Sequence, residues 1–460
     1  MEIKPVATTA VPQLTSLSGT LDGKERRRIR QSIAAIMLVL ALLIAARIWC
    51  LEGLLFPVSI TGASMADTFA GAHFRVTCED CGHQFRCDAT SVPASQEVTC
   101  PNCGYARTKL LPAEFRAGEQ VLIDRWVYLL GRPRRGDIVA FTHPDDDAQR
   151  VVKRIVGLPG EQIAIRGGDL IVGGQPATKS LDELREQAIL VHDNSLPPRK
   201  SADLPARWQP ASAGGNWLER DQAFIFNGKV PPKGERFNWL SFRYFRRLEG
   251  PRPHIEYSPV LDDDAFNQAS NRRLNDVCDL LLTCRASIAK FGCLVFAAVD
   301  RDDRFEVHLC HDERKLKLFQ NGQELLVELL PHRNHDEPID IEFALCDQRV
   351  LFGMDGRQVI AQNYQRTTPE APQAETQLQI GGAGARIRIS HLRVLRDIFY
   401  LEPLNTERSW HAERAIPPHH YLVFGDNPPV STDSRQWPQA EVPRSTILGR
   451  VVRPWWAANK

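Results

Sequence analysis

The sequence predicts a mainly β protein behind a single N-terminal transmembrane helix, and three observations predict it. One uncharged apolar run, Ile33 to Ala46, follows a basic cluster of Lys24, Arg26, Arg27, Arg28 and Arg30. Short β-type runs punctuated by Gly and Pro recur over 118–176. Longer alternating runs with hairpin-turn signals recur over 218–398, which reads as a β-sandwich. At 460 residues the chain is too long for one core, so several domains are expected.

The apolar run is broken by Arg47 and resumes through Trp49, Cys50 and Leu51. Ile33 to Leu51 is close to the roughly 20 residues that span a bilayer, if Arg47 snorkels to the interface where Trp49 also anchors. The basic flank places the N-terminus in the cytoplasm and the chain after about residue 56 on the far side. No small-x-small site follows the run, so a retained single-pass anchor is expected rather than a cleaved leader.

Beyond the anchor, 58–76 reads as strand, turn, strand. Strands are predicted at Glu119–Ile123, Asp137–Phe141, Val151–Val156, Gln162–Ile165 and Leu170–Val172. Ser180-Leu-Asp-Glu183 is a capping box that opens a helix to about Ile189. Residues 196–217 are rich in Pro, Ala, Ser and Gly and read as a linker. In the sandwich, strands are predicted at Phe305–Cys310, Lys315–Phe319, Ile339–Leu345, Arg349–Phe352, Leu378–Ile380 and Ile387–Val394. Turns at Gln320–Gln323 and Met354–Arg357 separate some of them. The chain then returns to Tyr-, Pro- and Gly-rich segments and ends in Ile447–Val452 and Pro454-Trp-Trp.

Composition excludes little beyond one class. With 57 basic and 56 acidic residues the net charge is +1, which gives no electrostatic case for nucleic acid as a partner. Of eleven cysteines, four form two knuckles, Cys78-Glu-Asp-Cys81-Gly and Cys100-Pro-Asn-Cys103-Gly. This spacing predicts a structural zinc ribbon, with two disulfides as the alternative. Cys87 and His83 are spare ligands. Cys278, Cys284, Cys293, Cys310 and Cys346 lie in the sandwich and either pair or stay buried.

Four blocks carry the chemistry. They are Gly62-Ala-Ser64-Met65; Arg135-Gly-Asp-Ile-Val-Ala-Phe141; Lys153-Arg-Ile-Val-Gly-Leu-Pro-Gly-Glu161; and Gly425-Asp426-Asn427 with Ser431 and Asp433-Ser-Arg435. Each alone is ordinary turn or strand chemistry. Together, in this order after one anchor, they resemble bacterial type I signal peptidases over about 57–76, 105–176 and 400–453. The resemblance implies that Ser64 is the nucleophile and Lys153 its general base. It also implies that Ser431 orients the lysine amine and that Asp433 and Arg435 brace the site, with Gly425, Asp426 and Asn427 beside it. No cofactor is implied for catalysis. Implied partners are preprotein signal peptides cut after Ala-x-Ala-like sites, the lipid bilayer and the export translocon.

A lysine serves as base only when neutral, and its ordinary pKa of about 10.4 must fall by burial. Val151, Val152, Ile155, Val156 and Met65 offer apolar surroundings. The backbone N–H of Ser64 is the candidate oxyanion donor. Family members with a second donor carry a hydroxyl where this chain has Gly62, with Thr61 one place off. Asp67-Thr68-Phe69 stands where Pro-Thr-Leu is usual, and Pro438 follows Trp437 where Gly is usual.

The expected organisation is a cytoplasmic tail (1–31), an anchor (32–56), a catalytic domain in three parts (57–76, 108–195, 399–460), a zinc-ribbon insert (77–107), a linker (196–217) and a sandwich insert (218–398). The sandwich weakly resembles concanavalin-like or laminin-G-like domains. Two rival readings are a membrane-tethered binding protein with a degenerate protease core and a self-cleaving Ser–Lys regulator.

Overall fold

The computed structural model describes residues 23–47, 53–199, 204–212, 215–228, 236–248, 254–310, 314–369, 371–402 and 409–454. Trp49, Cys50, Leu51, most of the expected tail and the final Trp-Trp pair lie outside the described residues.

Among its described residues the N-terminal unit, residues 1–56, contains one helix, Gly23–Ala46. Its segment Arg27–Ala46 is long and apolar enough to cross a membrane. At about 1.5 Å per residue the 24-residue helix exceeds the roughly 30 Å hydrocarbon core. The helix starts at Gly23, so Lys24 to Arg30, expected in a 1–31 tail, form its first two turns. The physical reason is that Lys, Glu and Arg are good helix formers that prolong a nucleated helix into water.

The second unit, residues 57–460, is dominated by antiparallel β-structure. A seven-stranded sheet runs in the order Leu55–Ser59, Gln120–Asp124, Ile447–Val452, Ile138–His143, Asp146–Gly157, His420–Phe424, Val442–Pro443. A smaller sheet packs Gln175–Pro176, Asp169–Val172, Ile163–Arg166 and Ser409–His411 side by side. Val139, Phe141, Ile155, Tyr421, Val423, Trp437 and Val442 form the core on one face of the seven-stranded sheet. Val156, Ile163, Ile165, Leu422 and Phe424 belong to a second core that joins it to the smaller sheet.

Two larger sheets face each other across a core rich in phenylalanine, including Phe226, Phe296, Phe305, Phe343 and Phe352, all 0% exposed. One sheet contains Trp217–Arg220, Ala223–Asn227, Arg386–Arg396, Leu280–Ile288, Ile339–Cys346, Arg349–Met354 and Arg357–Asn363. The other contains Trp208–Pro210, Asn238–Phe242, Leu378–Ala383, Cys293–Asp300, Asp303–Cys310, Lys315–Gln320 and Gln323–Leu329. Cys293 and Cys310, directly opposite in register, are joined by a disulfide.

The sandwich reaches further back in the chain than 218. Ile189–Asp193 pairs with Arg386–Arg396, and Trp208–Pro210 pairs with Asn238–Phe242. The helix Leu181–Gln187, with its Ser180/Glu183 capping box formed, lays Leu181 and Leu184 against Leu281, Cys346 and Leu351. The stretch expected as a 196–217 linker therefore holds an edge strand, and 108–195 ends inside the sandwich rather than in the catalytic domain. Trp208 and Trp217, 2% and 3% exposed, anchor that stretch despite its Pro-, Ser- and Gly-rich setting. Trp208→Ala is expected to cost about 3–5 kcal/mol in urea unfolding. A loss under about 1 kcal/mol would show that the stretch behaves as a linker after all.

Candidate active site

Lys153 sits on the long strand Asp146–Gly157, with Val139 opposite it on the neighbouring strand. Side chains alternate along a strand, so Val151 and Ile155 share the face of Lys153 while Val152, Arg154 and Val156 point the other way. Of the four apolar neighbours on its own strand expected around the amine, two thus face it, and Val139 joins them from across the ladder. Lys153 is 2% exposed. Burial lowers its pKa to about 8; Asp433 and Asp426 pull it up and Arg435 pushes it down.

The amine is held by a short relay. Lys153 Nζ donates to Ser431 Oγ at 2.9 Å, and Ser431 Oγ donates to Asp433 Oδ2 at 2.7 Å. The serine proton is thereby committed to the carboxylate, which leaves the serine lone pairs to receive the amine. Arg435 grips Asp433 with two bonds, Nε to Oδ1 at 2.8 Å and Nη2 to Oδ2 at 2.7 Å. Burial alone would raise Asp433, yet Arg435 and Lys153 hold it below its ordinary value. Asp433 is thus a fixed anion whose charge is spent largely on Arg435.

Gly425 makes this close packing possible. A Cβ there would lie 2.3 Å from Ser431 Oγ and 2.4 Å from the Ser64 carbonyl. Its N–H donates to Asp433 Oδ2 at 2.9 Å. Asp426 takes Arg154 in a bidentate pair, Nε to Oδ1 at 2.8 Å and Nη2 to Oδ2 at 2.6 Å, and accepts from Thr68 Oγ1 at 2.6 Å. Asn427 donates its N–H to the Ser64 carbonyl at 3.0 Å and Nδ2 to the Ala63 carbonyl at 3.0 Å. Gly425, Asp426 and Asn427 therefore fasten the 63–68 loop to the Lys153 strand.

Ser64 is half-buried and lines a cleft of about 410 Å³ together with Lys153, Thr61, His143, Gln149 and Trp437. Neither its Oγ nor its N–H has a hydrogen-bond partner among the described residues. Gly62 has open space around it, and exposed Thr61 lines the same cleft. Trp437 forms a cleft wall, edge-on to His143 with centroids 4.8 Å apart. The structure brings every predicted site residue except the four cysteines to this one place. Sequence reasoning missed the role of Arg154 as the Asp426 partner, although it sits inside the quoted block, and it missed Thr68 and His143.

The four cysteines form a separate centre. Cys78, Cys81, Cys100 and Cys103 are buried free thiols whose sulfurs all lie within 4.8 Å of one another. Cys78–Cys103 and Cys81–Cys100 are each 3.7 Å apart, near the roughly 3.8 Å edge of a tetrahedron with Zn–S bonds of about 2.3 Å. Each knuckle closes on a glycine in the left-handed region, Gly82 at φ 79° and Gly104 at φ 81°. The N–H groups of these glycines donate to Cys78 and Cys100 carbonyls. The arrangement would hold a tetrahedral soft cation; Cys87 and His83 lie outside the four-sulfur group.

A family model described as signal peptidase, peptidase S26, matches residues 108–229 and 355–456. Lys153, Gly425 to Asn427, Ser431, Asp433 and Arg435 fall within the match; Ser64 falls outside it. A signal peptidase I of Leptolyngbya laminosa is 30% identical over 84 residues, 15% of this chain and 41% of that protein. One of Buchnera aphidicola is 54% identical over 66 residues, 12% of this chain and 20% of that protein. The chain thus spans less than half the length of these curated relatives. A carbohydrate binding module of Bacillus subtilis is similar in structure over 41% of this chain and 95% of its own, at 10% identity and a TM-score of 0.27, too low to carry an argument.

Two measurements test this site. Between pH about 8 and 10.4 the folded chain binds fewer protons at Lys153 than the unfolded chain, so stability at this group rises with pH across that window. Below it the buried amine carries its full penalty. Lys153→Met is therefore expected to melt at or above the wild-type temperature at pH 7, and a drop of several degrees would show that the amine stabilises the fold. For the cysteine centre, elemental analysis is expected to find one zinc per chain, lost in Cys81→Ser/Cys103→Ser. Metal-free wild type with fewer titratable thiols would establish disulfides instead.

Proposed function

We propose that this chain, whose segments 108–229 and 355–456 belong to the signal peptidase family, is a membrane-bound serine endopeptidase that removes signal peptides from exported preproteins. The observation that carries the reading is a buried lysine amine, held by Ser431 at 2.9 Å, in the cleft that Ser64 also lines. Ser64 is the nucleophile and Lys153 the general base. With its pKa near 8, a useful fraction of Lys153 is neutral at neutral pH. Ser431 fixes the amine in place and leaves its lone pair for the Ser64 proton.

Acyl transfer then runs in two stages. Ser64 attacks the scissile carbonyl as Lys153 takes the proton. The unengaged Ser64 N–H meets the developing oxyanion, with Thr61 nearby as a second donor. Lys153 returns the proton to the leaving amine, then draws one from the water that releases the acyl group. The cysteine centre takes no part in these steps; bound zinc would stabilise the knuckle fold.

The substrate would bind as an added strand. The Asp146–Gly157 strand pairs with His420–Phe424 only from Arg154 onward, so 149–152, at the cleft wall, keep an unpaired edge on that side among the described residues. Helix Gly23–Ala46 anchors the chain in the cell or inner membrane, with the N-terminus cytoplasmic and the catalytic domain outside, beside the lipid and the export translocon.

Cleavage of a preprotein with an Ala-x-Ala site in detergent tests the reading. Ser64→Ala and Lys153→Ala, both folded by circular dichroism, are expected to lose about 10⁴-fold or more in kcat. Wild-type kcat/KM is expected to climb with pH and level off above about 8, because only the neutral amine is a base. A wild type inert on several preproteins, or a Lys153→Ala variant that cuts normally, would overturn the dyad and favour a tethered binding protein.

A further inference from the structure

The nucleophile loop is held from a second side, by a connection between strands of the sandwich insert. The single 3₁₀ turn Ala265–Asn267 lies between the strands His254–Tyr257 and Leu280–Ile288. Asp264 caps it by accepting the Phe266 N–H at 2.7 Å. Phe266, 0% exposed, packs on Ala66 and Ala70, with Ala63 beside them. These alanines flank Ser64 in the loop.

Asn267 makes the polar half of the contact. Its Nδ2 donates to Asn427 Oδ1 at 2.7 Å, and its Oδ1 accepts from Asn427 Nδ2 at 3.0 Å. Asn427 is the residue that binds the Ala63 and Ser64 carbonyls. The pair of hydrogen bonds with Asn267 holds the Asn427 amide in place, and the Ala63 carbonyl sets which way it points. Reversed, its oxygen would face the Ala63 carbonyl oxygen, two acceptors in contact. Asn267 thus holds in place the Asn427 side chain that bonds the Ala63 carbonyl beside Ser64.

Two neighbours extend the brace. Gln268 accepts from the Thr99 N–H at 3.1 Å and donates to the Thr99 carbonyl at 3.0 Å, which ties the turn to the second cysteine knuckle. Asp67, in the left-handed region at φ 66°, lies against Asp264. Burial, then the Asp264 carboxylate, hold Asp67 well above its ordinary value.

We propose that Phe266 and Asn267 are positioning residues for the Ser64 nucleophile, so that the sandwich insert is a working part of the active centre. The activity arm of the test rests on the Ser64 reading above; a second arm does not.

In the full chain, Asn267→Ala is expected to lower kcat about 10- to 100-fold with KM within twofold, as a displaced nucleophile does. The rise in rate near pH 8 should stay in place, because Asn267 does not touch Lys153. Asn267→Asp, which accepts from Asn427 Nδ2 but cannot donate, should fall between. Independently of any cleavage, hydrogen exchange in the 61–70 peptide should be at least tenfold faster in Asn267→Ala and Phe266→Ala than in wild type, with sandwich peptides unchanged. Wild-type kcat together with wild-type exchange at 61–70 in Asn267→Ala overturns the proposal. Should that variant not fold, the same two readings on Asn267→Asp decide. Should wild type cleave nothing, the peptidase reading fails and exchange at 61–70 alone decides the brace.

Discussion

Everything at the active site follows from the need to keep one amine dry without surrounding it with negative charge. Removing Lys153 from water lowers its pKa, but an unshielded carboxylate nearby would restore the charged form. Asp433 lies one hydroxyl away and is itself buried. The conflict is resolved by Arg435, which takes both Asp433 oxygens. Ser431 then separates amine from anion while bonding both. Removing either charge of the Asp433–Arg435 pair would strand the other in a buried site.

The same economy of space explains the glycine at 425 and the pairing of Arg154. Three chain segments converge where a methyl group has no room. Two successive strand residues, Lys153 and Arg154, serve opposite faces of the sheet: one carries the amine whose pKa burial lowers, the other a permanent cation matched to Asp426. A sheet suits this because alternation separates the two charges by direction rather than by distance.

Much of this was legible in the sequence. The strands around Lys153 stand out as short apolar, β-branched runs, and the Ser180/Glu183 box marks its helix. The paired cysteines announce themselves by spacing. Three things were hidden. The 196–217 stretch reads as a linker because composition outweighs two isolated tryptophans, whose burial depends on strands far along the chain. The basic cluster before the apolar run reads as tail because charge marks the membrane boundary, not the helix boundary. Asn267 reads as one more turn residue, since its partner lies 160 positions away and no local pattern reports such a pair.

The position of the last strand has a consequence in time. Ile447–Val452 is not at the sheet edge but lies between Gln120–Asp124 and Ile138–His143. Synthesis delivers Ser64 first, the Lys153 amine next, its partner Ser431 much later and this wedge last. Until the wedge arrives, Ile138–His143, the strand directly beside the amine's own, has no partner on its other side, and the sheet is two halves. The sheet that carries Lys153 is therefore closed by a strand made long after the amine itself, and its integrity rests on pairing between distant parts of the chain.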